Sequence, residues 1–419
     1  MKQIDLVIYN IKELISLQGP NRPRCGAEMS ELGIMNQVSI AVHEGKILEI
    51  GDNDSIQQKY AASEMIDASD CVVMPGFVDP HTHPVFVNTR ENEFEMRIMG
   101  KTYVEISQSG GGILSSIRAV RQASEAELFE LAKKRINRMI ECGTTAIEAK
   151  SGYGLSTESE LKMLRVIKRL QEEMPIDIAV TFMGAHEIPQ EYRQDREAYI
   201  RLMEEEMMPQ VKAAGLAEYV DIFTEAHVYS VAESRRILKK AKELGFKLRM
   251  HADEIEAIGG AELAGELNAV SADHLGACSD QGIQAMKKGG TIATLLPATL
   301  FSLRSKSYAR ARDMIAQELP VAIASDYNPG SCNCDNMQFV ISLSCLQMGM
   351  TPAEAICAAT FNAACAIEKN DYIGSIEAGK QADILIMDIP SYRFIPYHFG
   401  SNNVKRVIKK GKTLFERHS

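Results

Sequence analysis

Short runs of β-branched and apolar residues alternate along this chain with longer stretches whose apolar positions recur every three or four residues. The short runs, at residues 77–80, 144–149, 178–185, 219–225, 247–250, 269–273, 291–296 and 321–325, predict eight strands. The stretches between them carry helix start and stop signals. Ser124 with Glu127, Thr157 with Glu160 and Ser230 with Glu233 each read as a capping box, and Gly143 and Gly245 stop the first and third of these helices. Strands alternating with helices in this number predict an α/β fold, a TIM-like (β/α)8 barrel whose active site forms at the C-terminal ends of the strands. The same alternation also allows an open doubly wound sheet.

The two ends of the chain do not follow this rhythm. Residues 1–70 read as short strands and turns, with candidate strands at 38–42 and 47–50, and residues 374–419 resume that style at 382–388 and 404–412. We expect a small β-rich domain built from both termini, with the barrel, residues 71–373, inserted between them. The segment 84–123 is long for a strand-to-helix connection, and such segments are usually functional. Its glycines at 110–112 are followed by no Lys-Ser or Lys-Thr, so they do not read as a phosphate cradle; we expect a loop or short helix packed over a substrate.

Composition narrows the function. A formal charge of −10 argues against an electrostatic grip on nucleic acid or an anionic membrane, so an anionic ligand must meet a local positive group. No apolar run approaches a membrane span of roughly 18 residues. Asp5, Lys12 and Glu13 interrupt the apolar start, unlike a signal peptide, which points to a cytoplasmic protein. Nine cysteines, an odd number scattered through predicted core and helix, fit reduced thiols, and Cys332 with Cys334 has no second pair with which to build a zinc ribbon. The 21 methionines read as core filling.

The histidines carry the chemistry. His81 and His83, separated by Thr82, point the same way if they lie on an extended segment. Alone, such a pair reads as readily as two loop histidines. But His186, His227, His251 and His274 follow the third, fourth, fifth and sixth predicted strands, and Asp326 follows the eighth. Six of nine histidines therefore fall on one face of the predicted barrel, where side chains from separate strands can converge on one divalent cation. His81, His83, His251 and Asp326 are the candidate ligands. The plainer readings are a core histidine for His251, in its apolar run, and a turn former for Asp326, ahead of Asn328-Pro329-Gly330.

Several segments match a known family. Pro75-Gly76-Phe77-Val78-Asp79-Pro80-His81-Thr82-His83, His251-Ala252-Asp253-Glu254, Asp273-His274-Leu275 and Ser325-Asp326 resemble the amidohydrolase superfamily. A closer resemblance, to the imidazolonepropionase family, rests on seven further segments. These are Gly100-Lys101-Thr102-Tyr103 with Gly110-Gly111-Gly112-Ile113, Lys150-Ser151-Gly152-Tyr153-Gly154-Leu155, Gly184-Ala185-His186-Glu187, Leu296-Pro297 with Phe301-Ser302-Leu303-Arg304, and Asn328-Pro329-Gly330-Ser331.

The resemblance implies a metal-dependent barrel with a β-sandwich, and hydrolysis of the lactam ring of 4-imidazolone-5-propanoate to N-formimidoyl-L-glutamate in histidine degradation. It implies one divalent metal ion per subunit, zinc or iron, held by His81, His83, His251 and Asp326. Substrate contacts carried over by motif are Arg90, Tyr103, Tyr153, His186, Glu254, Asn328, Gly330 and Ser331. Of these, Arg90 would meet the substrate's propionate, with Tyr103 and Tyr153 as hydroxyl donors. His274 or Asp326 would take the proton of the attacking water, and Glu254 or His186 would serve the departing nitrogen. A homodimer is also implied. The chain departs from the family pattern at Thr224, where a cysteine is expected, and at His227, Tyr327 and Cys332. Two other functions fit parts of the pattern: a deaminase of the same superfamily acting on a related heterocycle, and a non-catalytic binding barrel, against which the intact ligand set argues.

Overall fold

In a computed structural model, which describes residues 1–101, 105 and 111–417, the eight short runs form eight strands: Phe77–Thr82, Thr144–Lys150, Asp177–Ala185, Tyr219–Thr224, Lys247–Ala252, Ser271–His274, Ile292–Leu295 and Val321–Ile323. Each pairs in parallel with the next. Strands of a parallel sheet are covered on both faces, which is why their sequences are continuous apolar runs; every residue of Thr144–Lys150, for example, is buried. The ring closes between the last strand and the first. There the backbone N–H of Asp326 donates to the carbonyl of His81 (3.2 Å), and that of His83 donates to the carbonyl of Tyr327 (2.8 Å). Alongside, the Ser325 hydroxyl donates to the Asp79 carboxylate (2.5 Å). The sheet is therefore a closed barrel and not an open doubly wound one.

Helices surround the strands. Glu125–Glu141 buries Leu128, Phe129, Ala132, Ile136 and Met139, a three-to-four-residue spacing that places one stripe against the sheet. Burying each of the larger aliphatic side chains contributes about 1.5–3 kcal/mol. Ser124 caps this helix by accepting from the N–H of Glu127, and Val231–Glu243 carries the full reciprocal box of Ser230 and Glu233. The expected box at Thr157 does not form. Ser156 is the cap, and Glu160 turns inward to accept from the N–H groups of Gly152, Gly154 and Leu155. Burial of that carboxylate beside three unsatisfied donors outweighs a local cap.

The terminal segments form two sheets. One orders Lys46–Asp52, Val38–His43, Lys2–Ile11 and Tyr60–Asp67; the other orders Lys412–Glu416, Val404–Lys409, Ile384–Met387, Val72–Pro75, Glu13–Ile15 and Ile34–Met35. Leu6, Ile8, Ile40 and Val42 from the first share a core with Val73, Ile384 and Ile408 from the second. Val72–Pro75 lies in this second sheet, so the chain passes from sheet to barrel at Gly76. The run 404–412 is two strands, because Lys410 (φ 49°) and Gly411 (φ 72°) make a left-handed two-residue turn.

The long connection after the first barrel strand contains the helices Glu91–Ile98 and Ile113–Gln122. Tyr103 and Gly110 lie outside the described residues. Among the described residues no helix is long and apolar enough to cross a membrane.

Candidate metal-dependent active site

The barrel brings the predicted ligands to one point. His81 lies in the first strand and His83 just beyond its end, His251 lies in the fifth strand, His274 ends the sixth, and Asp326 follows the eighth. All five are buried. Ligand atoms of His81, His83 and Asp326 lie within 4.8 Å of one another, as do those of His81, His251 and His274. His81 belongs to both groups, so the four expected ligands and His274 face a common centre. Its Nε2 is 3.5 Å from Asp326 Oδ1, and His83 Nε2 is 3.7 Å from the same oxygen.

A divalent cation fits these donors. Among the described residues His81 Nε2, which faces the centre, is buried without a hydrogen-bond partner, a cost that a ligated cation removes. Burial holds His81 and His83 well below the usual imidazole range and brings His251 down to about 4, so the rings are neutral, as ligation requires. Burial also pushes Asp326 up to about 7, against a hydrogen bond from the Thr299 hydroxyl (2.6 Å). A neighbouring cation favours its ionised form.

Behind the ligands stands a set of charges that sequence reasoning missed. Asp273 Oδ2 accepts from His81 Nδ1 (2.6 Å) and Asp221 Oδ1 from His251 Nδ1 (3.1 Å). Lys150, fully buried, donates to Asp221 Oδ2 (2.7 Å) and Glu148 Oε1 (2.9 Å) and lies 3.7 Å from Asp273 Oδ2. Burial opposes its charge, but Asp221, Glu148 and Asp273 outweigh that and raise its pKa to about 12. Burial likewise opposes ionisation of Asp221, yet His251 and Lys150 hold it well below the usual range. Burial raises Asp273 against the pull of Lys150. The available signal was charge inside otherwise apolar strands, at Glu148, Lys150 and Asp221.

The centre opens onto a cavity of about 460 Å³ lined by Arg90, Tyr153, His186, Glu254, Asn328, Gly330 and Ser331, all predicted substrate contacts. Arg90 donates twice to Glu93 and packs against Gly330, where a Cβ would lie 2.2 Å from its Nη1. His186 faces Gly152 O (3.0 Å) and stacks on His83; Gly152, at φ 108°, admits it because a Cβ would meet the ring at 2.9 Å. Asn328 spends its side chain on its own loop, donating to Asp326 O and Ser331 Oγ and accepting from the N–H groups of Gly330 and Ser331. Arg97, Lys101 and Phe223 also line the cavity and were not foreseen.

Glu254 stands 3.6 Å from His274 Nδ1. Burial, with Glu225 nearby, pushes it up to about 7. Its strand-end segment is pinned by Glu225, which accepts from the N–H groups of Ile255 and Glu256, and by Asp253, which accepts from those of Gly260 and Ala261. Positive φ at Asp253 (47°), His274 (74°), Leu275 (59°) and Asp326 (53°) concentrates backbone strain around the centre.

Of the departures, Thr224 is buried and bonds Ser234, away from the cavity lining. Tyr327 is buried at the barrel closure and accepts from Arg138, and Cys332 accepts at its carbonyl from the Asn328 N–H. His227 alone reaches the cavity, as an exposed residue at its mouth.

The amidohydrolase family profile matches residues 72–414. An imidazolonepropionase from Clostridium tetani (strain Massachusetts / E88) is 47% identical over 100% of both chains. One from Alkaliphilus metalliredigens (strain QYMF) is 45% identical, covering 99% of each. Among solved structures, an adenosine deaminase from Xanthomonas campestris with bound zinc superimposes with a TM-score of 0.73 at 18% identity, over 98% of this chain and 93% of that one. A 5-methylcytosine deaminase from Klebsiella pneumoniae gives 0.74 at 18%, over 99% and 98%. At such identities these two structures establish a shared fold. With a match across the whole barrel and near-half identity along the full length, the chain belongs to the amidohydrolase family and, within it, to the imidazolonepropionases.

Proposed function

We propose that this chain hydrolyses the lactam ring of 4-imidazolone-5-propanoate to N-formimidoyl-L-glutamate, a step of histidine degradation. The observation that carries the reading is a buried imidazole and carboxylate cluster opening onto a cavity lined by Arg90, in a chain 45% to 47% identical to imidazolonepropionases. His81, His83, His251 and Asp326 hold one zinc or iron ion per subunit. When bound, it supplies a Lewis acid for the lactam carbonyl and lowers the pKa of a water.

The remaining work belongs to side chains. Arg90 and Tyr153 bind the propionate end, since an anion entering a negatively charged protein needs a local guanidinium and hydroxyl. Tyr103 joins them. Asn328, Gly330 and Ser331 shape the wall against which Arg90 rests, and His186 contacts the ring. Water oxygen adds to the carbonyl carbon while His274, with Asp326, accepts its proton. The ring C–N bond then breaks, and Glu254, poised near neutrality, gives its proton to the departing nitrogen and regains one from His274, 3.6 Å away. The protein works in the cytoplasm as a homodimer on a small anionic substrate, without nucleic acid or membrane.

Ultraviolet absorbance of freshly generated 4-imidazolone-5-propanoate tests the reading. Metal-loaded protein removes the ring absorbance and yields N-formimidoyl-L-glutamate by mass; chelator-treated protein does not. Release of free ammonia from an amino-substituted heterocycle, with imidazolone propionate untouched, would instead make the chain a deaminase. Sedimentation at micromolar concentration is expected to show a dimer, and monomer alone contradicts that assignment.

A further inference from the structure

We propose that Lys150 is a positioning residue for the metal site: its ammonium bridges the two aspartates that aim His81 and His251. This rests on the metal reading above. Lys150 Nζ lies 2.7 Å from Asp221 Oδ2 and 3.7 Å from Asp273 Oδ2, with no exposure of any of the three side chains. Asp221 turns its other oxygen to His251 Nδ1 (3.1 Å), and Asp273 holds His81 Nδ1 at 2.6 Å. Each carboxylate is thus set between one ammonium and one imidazole.

Because the aspartates accept, the Nδ1 atoms carry hydrogen and the Nε2 lone pairs face the centre, the arrangement that makes an imidazole a ligand. A single cation reaching strands four and six therefore fixes two ligands at once. Arg249, another buried cation nearby, makes no hydrogen bond to these carboxylates among the described residues. Its Nη atoms donate instead to Ser271, Pro80 O and Ala366 O. Without the ammonium, Asp221, Asp273 and Glu148 lose the cation they share in a buried space, and their mutual repulsion is less opposed.

The test measures metal affinity, apart from turnover, by competition with a chromogenic chelator using zinc, with cobalt absorption as a report of ligand geometry. Lys150→Met removes the bridge. Glu148→Gln together with Lys150→Met removes it while leaving the net charge of the cluster as it was, and Glu148→Gln alone is the control. Both Lys150 variants are expected to lose about 10–100-fold in affinity, the range for groups that orient ligands. The cobalt spectrum should change in both, and the control should stay near wild type. Wild-type affinity in the double variant would overturn the proposal, because net charge rather than bridging would then be what matters. Failure of both Lys150 variants to melt cooperatively without metal would also overturn it, assigning Lys150 to the fold. A wild-type protein that takes up no metal would remove the metal reading itself.

Discussion

Glu254→Gln should change how the stability of the metal-free protein depends on pH, and by an amount the structure sets. The carboxyl titrates near 4.5 when unconstrained and at about 7 in the folded chain, chiefly through burial and then through Glu225. A raised folded pKa means that the native state binds more protons than the unfolded state between these values, so stability falls as pH rises through the folded pKa. At 1.36 kcal/mol per pKa unit, the penalty of the ionised side chain is about 1 kcal/mol at pH 5 and about 3 kcal/mol at pH 8. Glutamine keeps the shape and carries no charge at either pH. Urea unfolding of both proteins across this range should show the variant gaining about 2 kcal/mol on the wild type between pH 5 and pH 8. Parallel profiles would refute the argument and with it the assignment of Glu254 as a proton carrier near neutrality.

Three further outcomes follow from the geometry. Asp326→Ala should abolish turnover and leave the dialysed protein short of metal by elemental analysis; full turnover would remove Asp326 from the site. Gly330→Ala places a methyl where Arg90 rests, and losing one charge-assisted contact, about 1.5–3 kcal/mol, should lower kcat/KM roughly 10–100-fold with little change in Tm. Unchanged steady-state kinetics would show that Arg90 does not hold the substrate. Gly265→Ala drives a Cβ to 2.3 Å from the Ala285 carbonyl, where helices Gly260–Leu267 and Asp280–Gly289 meet, and should destabilise by about 1–3 kcal/mol in urea titration.

The strands were legible because burial on both faces writes short β-branched apolar runs bounded by helix start and stop signals, and the His81-Thr82-His83 alternation places both imidazoles on one side of such a run. Helix starts were less so. Thr157 and Glu160 have the spacing of a box, yet Glu160 finds three backbone donors across a turn that only the folded chain brings near. The convergence of His81, His83, His251 and Asp326 could be read from strand ends. Lys150, Asp221 and Asp273 could not be grouped, because their pairing crosses strands two, four and six and exists only once the sheet curls into a ring. Arg97 lay in a helix whose orientation over the cavity is a tertiary fact. Thr224 departs from the family pattern in sequence, yet its hydroxyl donates to Ser234 and the residue does not line the cavity.

The seam where the last barrel strand meets the first has a consequence for how the protein is made. Asp79 and Ser325, which join across it, are 246 residues apart in the chain. At roughly 5–20 residues per second, a ribosome delivers the partner about 10–50 s after the histidine pair has emerged. During that interval His81 and His83 lack Asp326, so the proposed metal site is incomplete in a nascent chain. On the proposed metal reading, tight uptake therefore coincides with closure of the ring, and a chain interrupted before the eighth strand is expected to bind the ion weakly.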